Sequence, residues 1–454
     1  MLDNLSKIHI IGAGGVGLSA AGKFLVLKGK EVTGTDIKAS SLTDEFEETG
    51  ALLSIGHAPE MIDESTDLVI YSSAVPEGDP ERSRAHELGI KQLSYFEFLG
   101  ELSKGYTTIA VTGTNGKSTT TAMLGKILIA AGLDPTVFVG TQVPGFEYKN
   151  LQVGSSDLLV VEACEYQANM LHLNPDIIVL TNIEEDHLDF YKDLDSIRAA
   201  FQQFVDKLPP EDGLLIRNVN DPESMKLETN RILSYGFETE AHVVGSNRIT
   251  SSGQQSFDLT HAHEELGTIE LVMPGEFNVE NALAAISVGL KLGVKFETLV
   301  KVLKNFGGIW RRFERVGELD GVPVISDYGH HPTAISDTLA ATREFYPDHS
   351  ILLCFEPHQH ARTIELFDEF VPSFDKADKL IVSEIYDVAG RDEEREEISS
   401  KKLVDAINER GQVRAEFAKD LNEAKKMVKD MVEPNDIALI MGAGDIDEVA
   451  RKLV

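Results

Sequence analysis

Short apolar runs recur along this chain. Each ends in a glycine or acidic turn and is followed by a stretch with helical spacing, the pattern of strands alternating with helices. The first stretch opens with a strand at Lys7–Ile11, the turn Gly12-Ala13-Gly14-Gly15-Val16-Gly17, and a helix through Leu27. A second strand, Glu31–Thr35, ends at Asp36, and further units lead through Asp67–Tyr71 to a linker near Ser103-Lys104-Gly105. The second stretch begins with the strand Thr107–Val111 and a helix from Lys117 to about Ala131. Strands are predicted there at Asp157–Val161, Asp176–Thr181 and Gly213–Arg217, with a helix at Phe277–Leu292. Between them, Arg231 to Met273 alternates polar and apolar residues and reads as antiparallel strands or hairpins. The third stretch follows Arg311-Arg312-Phe313. Its strands are Pro323–Ser326, Ile351–Phe355, Leu380–Ser383 and Asp436–Met441, with helices between them, the first from Thr333.

Strands spaced by helices in this way imply parallel, largely buried sheets. The fold class is therefore α/β, in three domains: residues 1–104, 105–312 and 313–454. A chain of 454 residues is too long for one ordinary core, which agrees with that division.

Charge and cysteine content narrow the function. A net charge of −33 argues against a nucleic-acid partner, because phosphate backbones are held by basic surfaces. An anionic substrate then needs a local concentration of lysine, arginine and backbone N–H groups. The acidic run Arg391–Glu397 reads as a solvated loop. Cys164 and Cys354 are too few for a disulfide framework or a thiolate metal site, and a reducing cytoplasm is the natural compartment. The opening residues resemble neither a signal nor a transit peptide, and no apolar run reaches the roughly 18 residues of a spanning helix. Membrane insertion is not expected.

Two glycine clusters carry the chemistry. Gly12, Gly14 and Gly17 fit G-x-G-x-x-G between a strand and a helix, and Asp36 falls where an acid would meet a ribose hydroxyl. That pattern alone is compatible with NAD, with another nucleotide, or with a bare tight turn. The second cluster is Val111-Thr112-Gly113-Thr114-Asn115-Gly116-Lys117-Ser118-Thr119, set between an apolar strand and a helix as a phosphate loop requires. Backbone N–H groups can cradle phosphates there, Lys117 can neutralise charge and the Ser118 hydroxyl can hold Mg²⁺. Val111 occupies the position of the usual first glycine.

Other candidates lie at strand ends. Glu162 and Asp186-His187 follow predicted strands of the second stretch, and parallel strand ends gather on the edge where the phosphate loop lies. A carboxylate and an imidazole there suit a divalent cation. Asn278 and Asn281, at the start of a helix, fit either adenine recognition or ordinary capping. Arg311-Arg312 could bring a guanidinium to phosphate. Asp327-Tyr328-Gly329-His330-His331-Pro332 and Glu356-Pro357-His358-Gln359-His360-Ala361-Arg362 place Asp, His and Arg at two further strand ends.

Taken in order over the whole chain, these tracts resemble the Mur ligase family. Ser72-Ser73-Ala74-Val75-Pro76, Glu162-Ala163-Cys164-Glu165-Tyr166, Phe277 to Ala285 and Gly442-Ala443-Gly444-Asp445-Ile446 add to the likeness. The Asp327–Pro332 tract with Gly442–Ile446 narrows it to the alanine-adding branch or the related murein peptide ligases. The resemblance implies a Rossmann-like N-terminal domain for a UDP-sugar, a central P-loop ATPase-type domain with a mostly parallel sheet, and a Rossmann-like C-terminal domain for the amino acid. It implies ATP and Mg²⁺ as cofactors, UDP-N-acetylmuramate and L-alanine as substrates, an acyl-phosphate intermediate, and a monomer or weak homodimer.

Carried over position by position, the resemblance puts Gly113, Thr114, Asn115, Gly116, Lys117, Ser118, Thr119, Asn278, Asn281 and Arg312 on ATP. Ser118 and Glu162 would hold one metal ion and His187 a second. Lys117, Glu162, His187 and Asp327 would form the catalytic set. Gly14, Gly15, Asp36, Ser72, Ser73, His330, His331, His358 and Arg362 would surround the sugar nucleotide and alanine. The chain departs from the family at Asn115 and Ser118, where His and Thr are common, and at Phe277 and Gln359. The Phe201-Gln202-Gln203-Phe204 region lacks the lysine that sister ligases carbamylate, which favours the alanine-adding branch. The rival readings are a tripeptide-attaching murein ligase, an NAD-dependent oxidoreductase, and a nucleotide-binding regulator without catalysis.

Overall fold

The computed structural model describes residues 5–187, 190–251, 253–386 and 398–454; the acidic run Arg391–Glu397 lies outside the described residues. The first sheet comprises β1 (Lys7–Ile11), β2 (Glu31–Asp36), β3 (Leu52–Ile55), β4 (Leu68–Tyr71) and β5 (Lys91–Ser94). It is parallel throughout, in the order β3-β2-β1-β4-β5. Its helices are α1 (Val16–Leu27), α2 (Ser41–Glu48), α3 (Pro80–Glu87) and α4 (Tyr95–Ser103). Alternation along β1 divides the core. Ile8 and Ile10 join the cluster containing Phe24 and Phe46, while Ile11 packs with Ile62, Val69 and Ala85. The strand order reverses between β1 and β4, so the Gly12 turn and Ser72 flank one crevice at the strand ends.

The central part starts with β6 (Thr107–Thr112), α5 (Lys117–Ala130), β7 (Thr136–Phe138), β8 (Leu151–Gln152) and β9 (Leu158–Glu162). It continues with β10 (Ile177–Leu180), α6 (Leu194–Val205), β11 (Leu214–Asn218) and β12 (Ile232–Phe237). Then come β13 (Val243–Ser251), β14 (Gln254–His261), β15 (Glu264–Leu271), α7 (Glu276–Lys291) and α8 (Phe296–Lys304). The sheet order is β15-β14-β13-β12-β11-β10-β6-β9-β7-β8. Thus β6, which feeds the phosphate loop, lies between β9, which ends on Glu162, and β10, which leads into Thr181 and Asn182.

The expectation of antiparallel strands over Arg231–Met273 fails at its beginning. Strand β12 pairs parallel with β11, and β13 parallel with β12. Alternation reports that one face of a strand is buried; it carries no information on strand direction.

The third sheet comprises β16 (Glu314–Leu319), β17 (Val322–Asp327), β18 (Ser350–Phe355), β19 (Lys379–Ser383), β20 (Arg414–Ala418) and β21 (Asp436–Met441). Its order is β16-β17-β21-β18-β19-β20, parallel except for the β16–β17 hairpin, which the sequence reading missed. Helices α9 (Pro332–Phe345), α10 (His360–Glu365), α11 (Phe367–Ser373), α12 (Ser400–Arg410), α13 (Leu421–Met431) and α14 (Asp447–Leu453) complete it. The chain is α/β in three domains, one per sheet. It divides into two compact units, and the first two sheets' opening strands through Asn247 belong to one of them.

Close packing in the first domain depends on Gly22. A Cβ on that residue would lie 2.1 Å from Phe46 Cε2 and 2.9 Å from Ile10 Cδ1, both fully buried side chains. Gly22→Ala gains helix propensity of about 1 kcal/mol. The clash cannot relax into solvent, and overpacking of this kind costs about 1–3 kcal/mol. The expected outcome is a lowered melting temperature, measured by calorimetry or circular dichroism; an unchanged or raised value would contradict this packing.

Candidate active site

The loop after β6 is shaped by two glycines in the left-handed region, Gly113 at φ +134° and Gly116 at φ +82°. The segment after β10 clamps it. Thr114 N–H donates to the Asn182 carbonyl at 2.9 Å and Asn115 N–H to Asn182 Oδ1 at 2.8 Å. The Thr181 hydroxyl donates to the Asn115 carbonyl at 2.6 Å, and Glu184 N–H donates to the Thr114 hydroxyl at 2.9 Å. Gly116 begins α5 and has no side chain to cap it, so the N-cap supplies no side-chain acceptor to the first-turn N–H groups. Groups of this kind, at the positive end of a helix, bind phosphate.

Lys117 is held in place from three directions. Its Nζ donates to the carbonyls of Gly113 at 2.7 Å and Thr114 at 2.9 Å, and to Glu165 Oε1 at 2.8 Å. Glu165 Oε2 lies equally close, at 2.8 Å, but outside hydrogen-bond alignment, so Oε1 is the partner that orients the ammonium. Glu162, at the end of β9, accepts from the Ser118 hydroxyl at 2.9 Å and from Gly140 N–H at 2.8 Å. The expected Ser118–Glu162 pair is therefore assembled.

His187 adopts φ +52° and lies with its ring centroid 4.5 Å from that of Tyr166. Its Nε2 is 3.7 Å from Glu165 Oε1 and 3.8 Å from Asp186 Oδ2. Donor atoms of Glu165, Asp186 and His187 all fall within 4.8 Å of one another, close enough to share a cation. Two carboxylates and an imidazole are suitable donors for a divalent ion beside phosphate. Glu165 thus contacts Lys117 and approaches His187. Sequence reasoning assigned it no role, although it follows β9 only three residues past Glu162.

The two asparagines are enclosed. Asn281 is 7% exposed, its Oδ1 lies 3.3 Å from the Thr120 hydroxyl, and a Cβ on Gly116 would approach that Oδ1 to 2.2 Å. Asn281 therefore packs directly behind the phosphate loop. Asn278 donates from Nδ2 to the Pro274 carbonyl at 2.7 Å.

In the first domain, Gly14 N–H donates to Asp36 Oδ2 at 2.8 Å, and Lys38 N–H to Asp36 Oδ1 at 3.0 Å. Asp36 thus fixes the glycine turn as well as facing the crevice end of β2. Gly15 begins α1 with no side-chain cap. Ser72 is half-buried, with its Cβ beside Gly12, and Ser73 is exposed.

The second compact unit gathers the remaining candidates. Asp327, at the end of β17, accepts from Phe313 N–H and Gly329 N–H, each at 2.8 Å. Burial pushes its carboxyl up, against the pull of Arg312 and those two N–H groups. His330 Nδ1 donates to the Tyr328 carbonyl at 3.0 Å. Burial holds His330 down at about 4, so the ring is neutral at pH 7 with Nε2 as its acceptor. It lies 5.7 Å from the His358 ring, which stacks on Tyr386. Arg362 Nη1 is 3.3 Å from His358 Nδ1. His331 instead caps α9, accepting from Thr333 N–H at 3.4 Å. Arg312 is exposed, with its guanidinium 5.2 Å from the Tyr328 ring, whereas Arg311 is buried and donates to the Gly442 carbonyl.

Glu356, after β18, is 3% exposed and accepts from Ile446 N–H at 3.2 Å. Burial, with Asp445 adding to it, pushes its carboxyl up to about 7. The folded protein therefore keeps a proton that the unfolded chain releases above its ordinary value of 4.5. This contribution to stability is present below pH 4.5 and is lost as pH rises towards 7. Glu356→Gln should remove the trend, so the variant gains stability relative to the parent between pH 4.5 and about 7, at up to about 1.4 kcal/mol per pH unit. Parallel unfolding titrations of parent and variant would expose an error as a constant difference across that range.

Comparison with known proteins accounts for this arrangement over the whole chain. Residues 7–107 match the Mur ligase family catalytic domain, 111–289 the Mur ligase middle domain, and 311–444 the Mur ligase glutamate ligase domain. The UDP-N-acetylmuramate–L-alanine ligase of Salinibacter ruber is 38% identical over 457 residues, covering 100% of this chain and 95% of that protein. The enzyme of the same name from Clostridium kluyveri is 39% identical over 449 residues, covering 98% and 97%. Among solved structures, the UDP-N-acetylmuramate–alanine ligase of Thermotoga maritima superposes with a TM-score of 0.84 at 27% identity, covering 98% of each chain. A murein peptide ligase from Psychrobacter arcticus shares the fold at a TM-score of 0.69 and 23% identity, covering 99% and 98%. With all three of its domains matched in order and full-length relatives this similar, the chain belongs to the Mur ligase family.

Proposed function

We propose that this protein is the ATP-dependent ligase that joins the amino group of L-alanine to the carboxylate of UDP-N-acetylmuramate, releasing ADP and phosphate. The observation that carries this reading is the full-length identity to UDP-N-acetylmuramate–L-alanine ligases, in a chain whose phosphate loop, Lys117 and paired acids are assembled. The compartment that supplies both nucleotides is the cytoplasm. No described helix is long and apolar enough to cross a membrane.

The reaction divides into two steps. In the first, the sugar carboxylate attacks the γ-phosphorus of ATP and ADP leaves. The N–H groups opening α5 hold the phosphates, and Lys117, already aimed across the loop, neutralises the transferring group. Ser118 with Glu162, and Glu165 with Asp186 and His187, would hold Mg²⁺, which offsets negative charge on the phosphate oxygens when bound. In the second step the alanine amine attacks the acyl-phosphate carbonyl and phosphate departs. The neutral His330, its Nδ1–H committed to Tyr328, offers Nε2 to a group that carries a proton. Arg362 and His358 supply positive charge and hydrogen bonds for a carboxylate. Gly14, Gly15, Asp36, Ser72 and Ser73 line the crevice suited to the UDP moiety. Asn281 belongs to the ATP side through its packing on Gly116, and the family resemblance assigns Asn278 and Arg312 to the nucleotide as well.

The decisive assay is ADP release from ATP and UDP-N-acetylmuramate, with L-alanine compared against a tripeptide amine. Stimulation by alanine is expected; stimulation by the tripeptide alone would transfer the assignment to peptide reattachment. Lys117→Ala should lower kcat by about 100- to 1,000-fold, the usual effect of deleting a group that stabilises transition-state charge. Turnover within a few-fold of the parent would remove Lys117 from the mechanism.

A further inference from the structure

Lys23 is a lysine in the middle of α1 with 1% of its side chain exposed, and none of the steps above uses it. Burying an ammonium is costly unless hydrogen bonds replace its water. Here the acceptors come largely from beyond its own domain. Nζ donates to Asn150 Oδ1 at 2.8 Å, to the Tyr148 carbonyl at 3.1 Å and to Glu45 Oε2 at 3.2 Å. Asn150 is itself fully buried, and its Nδ2 donates to the carbonyl of Val16, the first residue of α1. One amide therefore ties down both the start and the middle of the helix that follows the glycine turn.

The other end of this network reaches the phosphate site. Val139 N–H donates to the Asn150 carbonyl at 3.2 Å, and the next residue, Gly140, donates its N–H to Glu162 Oε2 at 2.8 Å. Glu162 in turn accepts from Ser118. Beside this path the Phe24 ring of α1 packs 5.5 Å from Phe138, the residue before Val139. All of these residues lie in one compact unit.

We propose that Lys23 and Asn150 are positioning residues for acyl-phosphate formation: they fix the helix opening on the UDP-sugar crevice to the strand-end loop that holds Glu162. This rests on the reading that the start of α1 faces the sugar nucleotide. Neither residue touches a reacting atom. Their effect is on the distance between the sugar carboxylate and the γ-phosphate, and a displacement of about 1 Å there can cost on the order of 100-fold in rate.

The test is steady-state kinetics of Lys23→Met, Asn150→Ala and the double variant in the full-length enzyme, together with direct titration of each with ADP and with UDP. Both single variants should lose about 10- to 100-fold in kcat. ADP affinity should stay within about twofold, and the KM for UDP-N-acetylmuramate should change less than kcat. Because the two residues belong to one hydrogen-bonded network, the loss in the double variant should be smaller than the product of the single losses. Should Lys23→Met fail to fold, Asn150→Asp keeps an acceptor for Lys23 and puts a carboxylate oxygen where the donor to Val16 stood; it should lose about tenfold in kcat.

A purely structural role predicts a lower melting temperature with parental kcat at a temperature where all variants are folded, and that result overturns the proposal. So do additive losses in the double variant, or ADP affinity that falls in step with kcat. A parent enzyme without alanine-stimulated ADP release would instead sink the functional reading on which this proposal rests.

Discussion

A chain with a net charge of −33 that binds a nucleoside triphosphate must create positive potential against its own field. Around the phosphate loop it does so chiefly with backbone. Gly113 and Gly116 turn the chain into the start of α5, whose N-cap offers no side-chain acceptor, and the Lys117 ammonium is locked across the loop by two carbonyls and Glu165. That arrangement places an acid beside the residue meant to receive phosphate. The apparent conflict is resolved if Glu165 faces a cation shared with Asp186 and His187. A carboxylate then balances metal charge as well as orienting the lysine. The rest of the site depends on that loop geometry: Asn281 can pack behind it only because Gly116 has no side chain.

Parallel sheets supply the remaining constraint. Because β6, β9 and β10 run the same way, their carboxyl ends deliver Gly113, Glu162 and Thr181 to one edge. The same rule brings Asp327, Glu356 and Gly442 together at the ends of β17, β18 and β21 in the other unit. A short loop after each strand then carries chemistry without disturbing the core, so a site built from sequence-distant residues needs little more than correct strand order.

This explains what was legible in the sequence. Apolar runs fixed most strands to within a residue or two, and glycines and acids at their ends identified the loops. Three kinds of information were missing. Strand direction was one: the alternation in β13 marks its buried face, whereas its parallel pairing with β12 is a tertiary fact. Edge strands were another. Strand β16 is mostly polar and half-exposed, and it exists because β17 needs a partner on that side. The third was the sharing of roles among neighbours. His331 and His330 are adjacent, yet one caps α9 and the other lies half-buried against Tyr328 and His358. Likewise Arg311 is consumed by the backbone of Gly442, while Arg312 stays exposed.

Lys23 marks the limit of such reading. A lysine within an apolar helix would ordinarily be assigned to the solvent face, and nothing in the spacing of α1 marks it as enclosed. Its burial makes sense only once residues 148–150 are folded against it, more than a hundred positions along the chain. A hydrophobic residue of similar size would fill the space, but it would leave Asn150 Oδ1 and the Tyr148 carbonyl without a donor. A charged group that satisfies acceptors on two domains resists sliding in a way that an apolar contact does not, because each acceptor has a direction as well as a distance. Directional bonds of this kind suit a junction whose two sides must present their substrates to each other in one geometry.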